Sequence, residues 1–211
     1  MAKYLLSVLS LFFAVAGGRA ASLVEGRVYL KNDSTVDCMG NDRMQLPAKS
    51  GKLKLWRNAF RKTKTKELIA AAEIDSVVCW HSKTPEHLRK FVYADDPGWM
   101  WVYVETPHVE VGIYSKKGYG IDTNGGIQVW QRRGWFSRSR TAYWLRKCGE
   151  GVFREVGDAS RRSKDAFRER LAGCINDDLV LAERIRRSNT DRSKTILMLR
   201  DYDPIVTLNQ K

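Results

Sequence analysis

The chain is short of the groups that most often do chemistry. Its 211 residues hold three histidines (His81, His87 and His108) and four cysteines (Cys38, Cys79, Cys148 and Cys174). No two cysteines stand as Cys-x-x-Cys, so the spacing of a zinc ribbon or a thioredoxin-type redox pair is missing. No Gly-x-Ser-x-Gly, His-Glu-x-x-His or Walker loop occurs, which removes the usual signatures of a serine hydrolase, a zinc protease and a nucleotide-binding loop. Acid is scarce as well: 24 Asp and Glu stand against 37 Lys and Arg, a formal net charge of +13. That balance favours acidic partners. No internal repeat or low-complexity tract is present. After the first twenty residues no apolar run approaches the ~20 residues of a transmembrane helix. The hydrophobic fraction of 43% is that of an ordinary globular chain and argues against global disorder.

What is present begins at the amino terminus. Lys3 is followed by an uncharged run over residues 4–16, then Gly17, Gly18, Arg19 and Ala20. The small residues Gly18 and Ala20 stand where cleavage after Ala20 requires them. This is the layout of a secretory signal peptide over residues 1–20, and it predicts a periplasmic or secreted protein. No cysteine follows the apolar run, so there is no acceptor for a lipoprotein anchor. Loss of Lys3 and Arg19 with that segment lowers the charge from +13 to +11. An exported location permits disulfides, and the sequence does not choose among the possible pairings.

The remainder divides by composition. Residues 21–156 are rich in strand formers and turn residues, and residues 157–211 in helix formers. Strands are expected over 24–30 and 36–39, around the turn Lys31-Asn32-Asp33-Ser34. The stretch Leu53-Lys54-Leu55-Trp56 alternates, with lysine and tryptophan on one face. Further strands are expected within 68–79 and over 88–93, 99–104, 109–113, 127–130, 142–147 and 152–156. Asp95-Asp96-Pro97-Gly98 and Asn124-Gly125 mark turns. The 99–104 run is apolar on both faces, which predicts a central strand covered on both sides. In the second part Asp158 is expected to cap a helix running through Cys174, with Phe167, Leu171 and Cys174 as its stripe. Asn176 or Asp177 should cap a second helix that buries Leu179, Ala182 and Ile185. Residues 194–202 read equally as a short helix or a buried strand. The fold class is α+β: an antiparallel sheet or partly closed barrel, followed by a small helical element packed on it.

The opening Gly26-Arg27-Val28-Tyr29-Leu30-Lys31-Asn32-Asp33-Ser34-Thr35-Val36 resembles the strand, Lys-Asn-Gly-Asp-Thr, strand start of uncharacterised exported β-rich proteins of Bacteroidetes. The stretch Ala72-Glu73-Ile74-Asp75-Ser76-Val77 before Trp80 is similar to a second feature of that group. So is the terminal pattern of Phe167, Leu171, Leu181, Ala182, Ile185 and then Ile196 through Tyr202. Here Asp33-Ser34 replaces the usual glycine-containing turn, and Asp201-Tyr202-Asp203 a Tyr-Asn pair. The resemblance implies an envelope location and a strand-then-helix order. It implies no activity.

Candidate chemistry is sparse. Cys79 and His81 would share a face of a strand, with His87 near, and could form a nucleophile and base or a metal site. A buried thiol beside a loop histidine explains them better. Asp122-x-Asn124-Gly125 starts like a calcium loop but lacks its later acidic ligands. Asp95 with Asp96, and Glu105 with Glu110, are the carboxylate pairs that a glycan hydrolase would need. No cofactor and no metal is expected. The basic segments carry more. One holds Lys49, Lys52, Lys54, Arg57, Arg61, Lys62, Lys64 and Lys66. The other interleaves arginine with aromatic residues over 130–140: Arg132, Arg133, Trp135, Arg138 and Arg140. Arginine offers a planar fork for carboxylate, sulfate or phosphate, and tryptophan a stacking face. The expected function is therefore non-catalytic binding or scaffolding. The expected partner is a polyanionic glycan or an anionic lipid head group, with no specific nucleic acid. A glycan-directed hydrolase is the alternative.

Overall fold

The computed structural model describes residues 23–47, 50–129, 141–158 and 164–204. An eleven-stranded antiparallel sheet forms its body. β1 (Leu23–Leu30) is long enough to serve three neighbours. Its first residues pair with β3 (Arg43–Gln45), its later ones with β2 (Thr35–Cys38), and its other edge with β6 (Ile74–His81). β4 (Lys52–Arg57) and β5 (Thr65–Ala70) extend the sheet beyond β3 to one edge. From β6 the chain meanders through β7 (Thr84–Ala94), β8 (Gly98–Glu105) and β9 (Val109–Ser115). A separate hairpin, β10 (Tyr119–Ile121) and β11 (Ile127–Val129), interrupts the meander. β12 (Thr141–Lys147) and β13 (Arg154–Asp158) complete it.

The sheet curls without closing. The start of β4 comes back against β7 and β8: the Trp99 indole N–H donates to the Ser50 carbonyl at 3.1 Å. Inside the curl, period-two alternation sends Val24, Val28, Leu53, Leu55, Val77, Cys79, Phe91 and Trp99 into one core. The β10–β11 hairpin covers it, with Ile127 buried there. Tyr119 pins this hairpin. Its hydroxyl lies 2.6 Å from the Ile113 carbonyl and 3.0 Å from that of Trp99, and accepts the Trp101 N–H at 3.2 Å. Burial pushes its ionisation well above the ordinary tyrosine value.

Asp33 has φ of 63°, the left-handed conformation that glycine adopts freely and aspartate tolerates. The Asp33-Ser34 turn thus keeps the geometry a glycine would supply. The linker 71–73 between β5 and β6 is a 3-10 turn, so the expected strand within 68–79 is two strands.

Three short helices follow: α1 (Lys164–Cys174), α2 (Leu179–Arg187) and α3 (Arg192–Leu197). They bury Phe167, Leu171, Ala172, Leu181, Ala182, Ile185 and Ile196 against Val104, Val111, Ile113, Tyr143, Leu145 and Val156 of the meander. The class is α+β as expected, and the ambiguous 194–202 stretch is helical, ending in a 3-10 turn at Met198–Asp201. Several details differ from the sequence reading. Asp158 closes β13 and is followed by residues outside the description. The cap of α2 is Asp178, which accepts the Leu181 N–H at 2.9 Å. Asp177 instead holds Lys147 (2.8 Å) and the Tyr202 hydroxyl (2.8 Å). Leu179, at the first position after that cap, is 61% exposed, and Leu181 takes the buried place expected for it. No helix among the described residues is long and apolar enough to cross a membrane.

Candidate functional site

The register of β7 with β8 runs from Ala94↔Gly98 to Phe91↔Trp101 and stops there. β7 continues along β6, through Lys90↔Val78 and Arg89↔Cys79. β8 continues along β9, with its register shifting between Val102 and Val104. A bulge bends its strand and increases the local twist, so the two strands part. The opening between them is a groove of about 580 Å³, lined by Leu88, Arg89, Lys90, Trp101, Tyr103 and Glu105, with Val78 and Val102.

Its charges are unevenly matched. Lys90 Nζ meets Glu105 at 2.5 Å across the groove. Arg89 has no carboxylate partner among the described residues; Nη1 donates to the Leu88 carbonyl at 2.9 Å. Its guanidinium lies 5.0 Å over the Trp101 ring, and its Nε–H is buried without a hydrogen-bond partner. A buried donor left unmade costs about 1–3 kcal/mol, more when charged. The groove therefore holds a half-buried cation lacking a counter-ion beside an aromatic face. Tyr103 stands edge-on to Trp101, ring centroids 5.9 Å apart. The expectation that this strand is covered on both sides fails here: Trp101, Val102 and Tyr103 are only half-buried.

The other candidates are placed as follows. Cys79 is fully buried in the curl, and desolvation drives its thiol far above the ordinary range. His81 accepts the Lys83 N–H through Nδ1 at 3.2 Å. The Cys79–His81 pair is thus no nucleophile and base. Cys38 is also buried, its thiol pushed up to about 11 by desolvation. Cys38 and Cys79 stand opposite Gly26 on its two sides, two strand spacings or ~10 Å apart, beyond the ~7 Å that a disulfide can span. Cys148 is exposed and Cys174 half-buried, and all four are free thiols.

Asp122 caps its own turn, its Oδ1 accepting the N–H groups of Asn124 (2.9 Å) and Gly126 (2.8 Å), which is a hairpin and no calcium loop. Among the described residues no group of three or more potential metal ligands gathers. Asp95 and Asp96 sit exposed in the β7–β8 turn. Glu105 and Glu110 are register partners across β8 and β9, so both project from one face. Each is tied to its own cation, Lys90 or Arg146. They do not face each other across the groove as an acid and a nucleophile would. Lys52, Lys54 and Trp56 share the outer face of β4, as their alternation indicates. Arg132, Arg133, Trp135, Arg138 and Arg140, and also Lys49 and the segment 1–20, lie outside the described residues. The groove residues Arg89, Trp101 and Tyr103 were missed by the sequence reading. The available signal was the aromatic alternation Trp99, Trp101, Tyr103, read there as core.

Compared with protein-family models, curated proteins and solved structures, the chain finds no match.

Proposed function

We propose that this is a non-catalytic exported binding protein whose ligand is an anionic glycan seated in the β7–β8 groove. The observation that carries the reading is Arg89, a groove-lining guanidinium with no carboxylate partner among the described residues, lying over Trp101. A uronate or sulfate group supplies the missing charge, and a sugar ring supplies a flat apolar face for the aromatic residues. The net charge of +11 left after loss of Lys3 and Arg19 from the +13 of the full chain adds long-range attraction for any polyanion without choosing one. The amino-terminal pattern supports export, as does the resemblance to exported β-rich proteins. The arginine-rich segment 130–140 is a second contact region for the same polymer.

The test is calorimetric titration with an oligouronate, beside a neutral glucan oligomer of equal length. The oligouronate binds and the neutral oligomer does not. Arg89→Gln weakens binding by tenfold or more, as loss of a charged hydrogen bond of about 1.5–3 kcal/mol requires. Arg89→Lys keeps the charge but loses the fork, and recovers only part of the affinity. The oligomer is recovered uncleaved. Equal affinity of Arg89→Gln and wild type removes the groove from the account. Weakening only in the variant with Arg132, Arg133, Arg138 and Arg140 all changed to glutamine transfers the site to that segment.

A further inference from the structure

The β4–β5 hairpin carries a second surface, unrelated to the groove. On its outer face β4 presents Lys52, Lys54 and Trp56, and β5 presents Lys66 and Leu68, with Trp56 opposite Lys66 and Lys54 opposite Leu68. Lys64 folds back from the turn, its Nζ 4.8 Å over the Trp56 ring. Arg61 and Lys62 lie exposed in the same turn. None of Lys52, Lys54, Lys62, Lys64 and Lys66 makes an ion pair among the described residues. The nearby acids are held by arginines: Glu67 and Asp42 by Arg57, each at 3.0 Å, and Glu25 by Arg43 at 2.9 Å.

The turn at the tip of this hairpin exposes one large apolar side chain, Phe60, at 69%, and Leu68 is 45% exposed along β5. The Arg43 guanidinium lies 5.0 Å over the Phe60 ring and so keeps it on the outer side. Met39, 42% exposed in the β2–β3 turn, belongs to the same end of the molecule. The two turns are fastened together: the Ala59 N–H donates to the Asn41 carbonyl (2.8 Å), the Asn58 N–H to Asp42 (2.9 Å), and Arg57 Nη1 meets Asp42 at 3.0 Å.

Lysines along an edge strand also blunt edge-to-edge pairing, and that accounts for Lys66. It does not account for the exposed Phe60 and Met39 at this end, nor for Arg61, Lys62 and Lys64 in the same turn as Phe60. A soluble polyanion would use the cations but has no need of the exposed Phe60 and Met39. We infer that this end of the molecule docks on an anionic lipid bilayer. Phe60 and Met39 enter the interface, and Lys52, Lys54, Lys62, Lys64 and Lys66 lie over the head groups. Lysine suits this role because the surface is a diffuse field of charge and not a single fork-shaped ligand. Each juxtamembrane lysine strengthens such binding about fivefold, and insertion of one aromatic side chain strengthens it roughly tenfold.

The experiment is sedimentation of the full chain with vesicles of phosphatidylglycerol and phosphatidylcholine in equal parts, and with vesicles of phosphatidylcholine alone. Wild type is expected to pellet with the first and not with the second. Phe60→Ala should weaken vesicle binding roughly tenfold while binding of a soluble polysulfate stays unchanged. The variant with Lys52, Lys54, Lys64 and Lys66 changed to glutamine should lose vesicle binding altogether. Arg89→Gln, which probes the groove, should leave vesicle binding as it is. All these residues are at least partly exposed, so unchanged melting temperatures confirm that the variants fold. Equal pelleting of Phe60→Ala and wild type overturns the inference. So does binding to the polysulfate without binding to the anionic vesicles, or a loss of vesicle binding in Arg89→Gln.

Discussion

Gly26 on β1 has Cys38 facing it from β2 and Cys79 from β6, and all three point into the curl. A methyl group there would lie 2.8 Å from Met44 Cε and 2.9 Å from Cys79 Cα, and would strike the Val78 carbonyl. Two of those three contacts are backbone and cannot move aside. Gly26→Ala is therefore expected to cost about 3 kcal/mol, read as a lowered midpoint in urea with an unchanged slope. A loss under ~0.5 kcal/mol would mean that β6 and the Met44 side chain can yield. The same arrangement explains why the buried cysteines are structural. Their sulfurs fill the curl on either side of a residue with no side chain, at a separation no disulfide spans. At Arg89 the residue scale works in the other direction: a guanidinium lines the groove with no carboxylate partner among the described residues.

At the scale of elements, a polar junction at Asp177 fastens the helices to the sheet. Lys147 at the end of β12 and Tyr202 after the last 3-10 turn both hold the Asp177 carboxylate. Burial works against the charge on Asp177, and the Lys147 ammonium and the Tyr202 hydroxyl more than offset it, so its ionisation lies below the ordinary 3.8. A lowered carboxylate value stabilises the fold above the unfolded value and ceases to do so as pH falls through the folded one. Docking of α1 and α2 should then weaken as pH falls below about 4. Thermal melts between pH 6 and pH 3 should show the decline in wild type and a shallower one in Asp177→Asn. Asp42 and Asp191, both also held low by hydrogen bonds, keep that slope from vanishing. Parallel curves for the two proteins would exclude Asp177 as the junction. Elements of this kind were unevenly legible in the chain. β4 announces itself, because Lys52, Leu53, Lys54, Leu55 and Trp56 alternate cleanly. β3 and β10 are three residues long, too short for any periodicity to register. Of the stripe expected for α2, Ala182 and Ile185 are buried; Leu179, the first residue after the Asp178 cap, is exposed, and Leu181 takes its place.

Across the whole molecule, the order of strands and then helices could be read from composition, and the groove could not. Arg89 and Trp101 are far apart in sequence and meet only because β7 and β8 pair as far as Phe91↔Trp101 and then part. Where a register ends is set by the bulge in β8 and the curl of the sheet, not by either segment alone. The alternation of Trp99, Trp101 and Tyr103 was visible, but burial of Trp99 and partial exposure of Trp101 and Tyr103 depend on that parting. The fold so formed presents two surfaces of different kind. The groove holds the Arg89 guanidinium over the Trp101 ring, and the β4–β5 hairpin carries lysines and the exposed Phe60. The claim that most needs testing is that the groove binds an acidic sugar and leaves it intact. A crystal structure of the full chain with an oligouronate answers it directly. The account predicts an uncleaved sugar in the β7–β8 groove, with its ring against Trp101 or Tyr103 and its carboxylate on Arg89. An oligouronate ordered elsewhere with the groove empty, or one found cleaved beside Glu105 and Glu110, would contradict it.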